Sequence, residues 1–185
     1  MSIMTMHTLI RMFTNDQYRH TAKLVHEVNE RLCENSIVQS GGGFITLLYA
    51  AVDTDEHLVR WTSAGHPLAL LHRLDTGQVT QVGTEADGGL PLGISPGLAY
   101  DSSTAQLPPA SRLLLYSDGL PDAFPMGQTG YTAFGVRGIT ETLRSCKDES
   151  LEATLDRLFR DSSDFTGETG RHDDTSAVLL ERIGV

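Results

Sequence analysis

The chain has 185 residues, of which 39% are hydrophobic and 21% charged, a size and composition typical of one globular domain. Its formal net charge of −10 would repel a phosphate backbone, so we expect no nucleic-acid binding. We also expect a cytoplasmic protein, because no apolar run could span a membrane and the first residues do not resemble a secretory signal. Cys33 and Cys146 are far apart and are expected to be unpaired thiols in a reducing compartment.

In chain order, the hydrophobic pattern predicts helices, then a run of strands, then helices and a last strand. The helices are predicted at 2–13, 16–34, 135–146 and 148–161, where apolar residues recur at helical spacing. The strands are predicted at 44–53, 58–63, 68–73, 78–82, 100–107, 112–117 and 175–182. The first of them is apolar throughout, as a strand buried on both faces would be. This order, with no linker, indicates a single α+β layered domain over 1–185.

Two short acidic motifs adjoin two of the predicted strands. Asp118-Gly119 follows the strand at 112–117, and Asp173-Asp174 precedes the strand at 175–182. If these strands are neighbours, three carboxylates meet at one end of a sheet and suit a hard divalent cation. The alternative is that they are turn residues that cap their own loops. Adjacent carboxylates repel each other, however, and a bound cation is one way to offset that repulsion.

A third motif, Gly65-His66, lies in the connection between two predicted strands. The histidine is either an exposed turn residue or a functional group that orients a phosphate or donates a proton near neutral pH. The glycine run at 41–43 lacks the Lys-Ser/Thr that completes a phosphate-binding loop. Ser117 has no Gly-x-Ser-x-Gly setting, which argues against a serine hydrolase.

Five motifs occur in the order and at the spacing of one known family. They are Phe44–Tyr49, Ala64–Pro67, Leu90–Gly93, Leu114–Gly119 and Asp173–Ser176. Together they resemble the SpoIIE/RsbU-type phosphatases, the bacterial branch of the metal-dependent PPM serine/threonine phosphatases. The resemblance covers essentially the whole chain. It implies an α-β-β-α layered sandwich in which metal-activated water hydrolyses phosphoserine or phosphothreonine.

The resemblance also implies roles for individual residues. Asp118 and Gly119 match the family's metal-binding Asp-Gly turn, and Asp173 matches the metal-binding aspartate before the last strand, with Asp174 as the alternative if the register slips by one. Gly65 and His66 are the candidates for substrate binding. The implied cofactors are Mn²⁺ or Mg²⁺, two ions in the family. The implied partner is a phosphorylated regulatory protein, such as an anti-sigma-factor antagonist.

One family motif, Asp-x-x-Gly-His-Gly, does not occur in these 185 residues. In the family its aspartate bridges the two metal ions. We therefore expect a domain that is incomplete at its N-terminus and binds fewer ions. Such a chain is either a piece of a longer phosphatase or a catalytically impaired paralogue that acts as a protein-binding regulatory module. Missing strands would leave a sheet edge unpaired, which predicts a homodimer through that edge.

Overall fold

The computed structural model describes residues 20–34, 44–125, 132–167 and 173–183. The predicted helix at 2–13 and the glycine run at 41–43 lie outside these residues. The described residues form two compact units. The first comprises the described residues up to Leu68 together with Gly83–Gln106, and the second comprises Ala69–Val82 and the described residues from Leu107 onward. The prediction of a single domain over 1–185 stays a prediction.

The first unit combines one helix with a three-stranded antiparallel sheet whose strand order is β1-β2-β5. Its elements are α1 (Thr21–Cys33), β1 (Leu47–Asp53), β2 (Leu58–Ala64), a 3-10 turn (Glu85–Asp87) and β5 (Ser103–Gln106). The apolar stripe of α1 is buried in the unit's core, because four residues at helical spacing lie on one face. These residues are Leu24, Val25, Val28 and Leu32. The prediction of this helix is confirmed for its described part.

Strand β1 corrects one sequence-based prediction. The segment 44–53 was expected to be a strand buried on both faces, but β1 begins only at Leu47. Among the described residues it lies at the edge of its sheet, where it pairs with β2. Most of its residues are half-buried, while Val52 is 42% exposed and Phe44, just before the strand, is 63% exposed. The prediction of burial on both faces was therefore wrong. The apolar run forms a strand at the margin of the sheet, where its side chains are only partly covered.

The second unit contains a four-stranded antiparallel sheet with strand order β4-β3-β6-β7 and two helices. Its elements are β3 (Leu70–Arg73), β4 (Val79–Gln81), β6 (Ser111–Tyr116), α2 (Gly135–Ser145), α3 (Leu151–Phe165) and β7 (Ala177–Arg182). Inward residues of β3, β6 and β7 share one core with residues of both helices. This core includes Leu70, Leu114, Leu179, Ile139, Leu143 and Leu158.

Helix α3 has a sequence-encoded start, since the hydroxyl of Ser150 accepts the N–H of Ala153 at 3.1 Å. Cys33 and Cys146 are both buried. Within the described part of the chain, no helix is long and apolar enough to cross a membrane. The α+β class predicted from the sequence is confirmed.

Candidate active site

The two acidic motifs lie at the same end of the second unit's sheet. Strands β6 and β7 are antiparallel neighbours, with Tyr116 opposite Ala177. Beyond that pair, the N–H of Ser117 donates to the carbonyl of Ser176 at 2.9 Å. The strand that leads into Asp118 and the strand that follows the 173–174 pair are thus adjacent, and the juxtaposition that the sequence analysis required is present.

Gly119 lets the two turns approach closely. A Cβ atom on Gly119 would lie 2.5 Å from the carbonyl oxygen of Asp174 and 3.0 Å from Oγ1 of Thr175. A separation of 2.5 Å is well inside van der Waals contact, so any side chain at this position would push the turns apart. Gly119 is buried, whereas the side chains of Asp118 and Asp174 are exposed. Gly119 therefore allows the two turns to approach each other, and the aspartates place negative charge on the surface beside it.

Each of the two carboxylates accepts a hydrogen bond from the backbone N–H of the residue that follows it. The N–H of Gly119 donates to Oδ1 of Asp118 at 3.0 Å, and the N–H of Asp174 donates to Oδ1 of Asp173 at 2.7 Å. Each carboxylate keeps its second oxygen for another partner, since a carboxylate can accept several hydrogen bonds or bind a cation. Asp174 itself contributes its backbone to the contact between the turns.

A third carboxylate, that of Asp122, belongs to the same site and was missed by the sequence analysis. The N–H of Asp122 donates to the carbonyl of Asp118 at 2.9 Å, so the chain closes one turn between these residues. Desolvation raises the pKa of Asp122, and the negative charges of Asp118 and Asp173 raise it further. The carboxylate of Asp122 therefore lies within electrostatic range of the carboxylates of both Asp118 and Asp173. No motif in the sequence marks Asp122, because its interaction with Asp173 depends on the fold.

The donor set fits a hydrated divalent cation better than an enclosed one. Among the described residues, no three His, Cys, Asp or Glu side chains are arranged to hold a metal ion by themselves. Mg²⁺ and Mn²⁺ prefer oxygen ligands, and Mg²⁺ is commonly held by one or two carboxylates while it keeps several waters. The carboxylates of Asp118 and Asp173 are donors of this type, and a cation would offset the negative charges that raise the pKa of Asp122.

His66 lies in the first unit, in the connection that follows β2. The backbone N–H of His66 donates to Oγ of Ser63 at 3.2 Å, and the Ser63 hydroxyl in turn donates to the backbone carbonyl of His66 at 3.0 Å. Its Nδ1 lies 2.9 Å from the carbonyl oxygen of Pro67. Because a carbonyl only accepts, Nδ1 must carry the proton in this contact, which leaves Nε2 as the nitrogen available to a ligand. The half-buried ring is held in one orientation.

Gly65 fixes the backbone beside His66. Its backbone φ is +70°, a conformation that residues other than glycine rarely adopt. A Cβ atom there would also lie 2.5 Å from Cγ of Pro91. The N–H of Gly65 donates to the carbonyl of Gly88 at 2.8 Å. This pair belongs to the first unit and the aspartates to the second, and each group is well ordered by its own contacts.

Comparison with known proteins identifies the family and the fold. The family model described as stage II sporulation protein E (SpoIIE) matches residues 1–183. No curated protein sequence matches the chain. Among solved structures, the SiaA-PP2C domain of Pseudomonas aeruginosa is 17% identical with a TM-score of 0.73, over 96% of this chain and 69% of that chain.

Two further structures agree with it. The RsbU and RsbW domains of Rv1364c from Mycobacterium tuberculosis are 21% identical with a TM-score of 0.71, over 98% of this chain and 48% of that chain. The phosphatase domain of SpoIIE from Bacillus subtilis (Mn presoaked) is 16% identical with a TM-score of 0.60, over 98% of this chain and 73% of that chain. The chain thus has the mixed helix and antiparallel sheet fold of these phosphatase domains, and it spans about half to three quarters of their length.

Proposed function

Because the chain belongs to the SpoIIE family of PP2C-type phosphatase domains, we propose that it is a metal-dependent protein serine/threonine phosphatase. The observation that best supports this proposal is that Asp118 and Asp173 adjoin the same end of the neighbouring strands β6 and β7. A phosphoester is anionic, so a site made of carboxylates alone would repel it. A divalent cation held by Asp118 and Asp173 would neutralise their two negative charges and give the phosphoryl group a Lewis-acidic centre to bind.

We propose that Asp118 and Asp173 hold Mn²⁺ or Mg²⁺, with Asp122 as an additional carboxylate of the site. Asp174, which the sequence analysis left as an alternative ligand, donates its N–H to Asp173 and packs its carbonyl against Gly119. These contacts use only backbone atoms of Asp174, so its carboxylate stays the alternative ligand to that of Asp173. A bound cation would supply Lewis acidity, which lowers the pKa of water and neutralises charge on the phosphoryl group.

The roles proposed for this chain's other residues follow from their contacts. Gly119 lets the two turns approach each other closely, and the proposed sharing of one cation by their carboxylates requires such an approach. His66, with Nδ1 bonded to the carbonyl of Pro67, presents Nε2, which in the doubly protonated imidazolium form can donate a hydrogen bond to a phosphate or transfer a proton. Gly65 fixes the backbone conformation that aims it.

The proposed substrate is a phosphorylated regulatory protein, such as an anti-sigma-factor antagonist, in the cytoplasm. One structural relative carries RsbU and RsbW domains in one chain. A homodimer through the edge strand β1 remains part of the proposal. The alternative function, a module that binds a partner without hydrolysis, is not favoured by the family or by the paired aspartates, which such a module would not need.

Phosphate release from synthetic peptides tests the proposed function. With Mn²⁺ present, we expect release from phosphoserine and phosphothreonine peptides and little from a phosphotyrosine peptide of the same sequence. EDTA should stop the reaction and excess Mn²⁺ should restore it. A folded chain that binds the peptides but releases no phosphate at any Mn²⁺ or Mg²⁺ concentration would instead support the binding module.

A further inference from the structure

The hydroxyl of Ser117 replaces a backbone acceptor at the point where β6 ends. In an antiparallel sheet, two residues of a hydrogen-bonded pair normally exchange both of their N–H···O=C bonds. Ser117 and Ser176 make only one of these, from the N–H of Ser117 to the carbonyl of Ser176. The N–H of Ser176 donates instead to Oγ of Ser117, at 2.9 Å. The regular backbone pairing of β6 with β7 therefore ends at Ser117, directly before Asp118.

The same hydroxyl makes a second contact across the gap. Oγ of Ser117 lies 3.3 Å from the carbonyl oxygen of Asp174, to which it donates. That carbonyl is also the atom against which Gly119 packs. Asp118 therefore stands between two residues that are both fixed on the segment carrying Asp173. The side chain of Ser117 touches neither carboxylate, but it holds together the two turns from which they project.

We propose that Ser117 is a positioning residue whose hydroxyl sets the spacing between the carboxylates of Asp118 and Asp173, and through that spacing the affinity for a divalent cation. This inference rests on the proposed function. The bonds of Ser117 lie near the surface, so their removal costs little folding stability, because water can replace an exposed partner. Cation binding is more sensitive, since it requires ligand oxygens at fixed separations.

Equilibrium binding of Mn²⁺ to the full chain, measured from the electron paramagnetic resonance signal of the free ion, tests the proposal. For Ser117→Ala we expect about tenfold weaker binding than for the wild type, in the range typical of residues that orient metal ligands. Ser117→Thr keeps a hydroxyl on the same carbon and should bind within about twofold of the wild type. Ser176→Ala is the matched control, because only the backbone of Ser176 takes part in these bonds.

Each outcome decides the matter. Equal Mn²⁺ affinity in the wild type and Ser117→Ala would overturn the inference and leave the proposed function standing, as would a threonine variant as weak as the alanine one. A wild-type chain that binds no Mn²⁺ would overturn both. The metal-free melting temperatures should agree among the variants, and a fall confined to stability with unchanged Mn²⁺ affinity would mean a structural role only. If the alanine variant does not fold, Ser117→Cys gives the same comparison, because a thiol is a weak hydrogen-bonding group.

Discussion

Replacement of Asp118 by Asn is expected to reduce Mn²⁺-dependent phosphate release by about a thousandfold or more. The change removes one negative charge from the proposed cation site, and stabilisation by a metal ion contributes several kcal/mol to such reactions. The amide oxygen of asparagine can still accept the N–H of Gly119, so the turn should keep its shape. Initial rates with p-nitrophenyl phosphate over a range of Mn²⁺ concentrations would measure the effect.

Asp156→Asn is the matched control for this variant. It removes the same charge from an exposed position on α3. We expect its rate to equal that of the wild type. A similar loss in both variants, or retention of more than about a tenth of the activity by Asp118→Asn, would contradict the role assigned to Asp118.

Arg112→Met is expected to lower the free energy of unfolding by about 3 kcal/mol. Arg112 is 4% exposed, and its guanidinium fork ties β6 to the connection between α2 and α3. Its Nε bonds Oε2 of Glu181 at 2.7 Å, its Nη1 bonds the carbonyl of Cys146 at 3.0 Å, and its Nη2 bonds the carbonyl of Glu149. Methionine leaves all of these acceptors without their donor, and buried acceptors without partners are costly.

The expected loss of unfolding free energy lies at the lower end of the range for broken buried ion pairs, because the side chain of Glu181 is 25% exposed and stays partly hydrated. Arg112→Lys should recover only part of the loss, since an ammonium group cannot reproduce a planar fork. Arg137→Met, which removes a 76% exposed arginine of α2, is the control and should change little. Urea unfolding would measure all three, and a loss below about 1 kcal/mol for Arg112→Met would contradict the account.

The features that the sequence predicted are those set by local patterns. The apolar stripe of α1 reflects helical periodicity, which neighbouring residues determine. The pairing of β6 with β7 was the condition on which the predicted cation site depended, and the structure meets that condition. The turn residues Gly65 and Gly119 were found through motifs, and the structure supplies the physical reason for each in its close contact with another segment.

The features that the sequence did not predict depend on contacts between distant residues. The hydrogen-bond acceptors of Arg112 lie 34 to 69 positions away in the chain, so the residues next to it do not indicate that the arginine is buried. His72 is fully buried on β3, where burial lowers its pKa and the charges of Arg112 and Arg144 lower it further. The exposure of β1 depends on its place at the sheet edge, which composition does not encode. Asp122 acquires significance only once Asp173 is placed beside it.

The most direct test of the central claim, that Asp118 and Asp173 hold the same divalent cation, is a double-mutant cycle on Mn²⁺ affinity. If the two carboxylates share one ion, Asp118→Asn and Asp173→Asn should each cause most of the loss, and the double variant should bind little more weakly than either. Losses that add independently would mean two separate sites. Wild-type affinity in either single variant would contradict the claim.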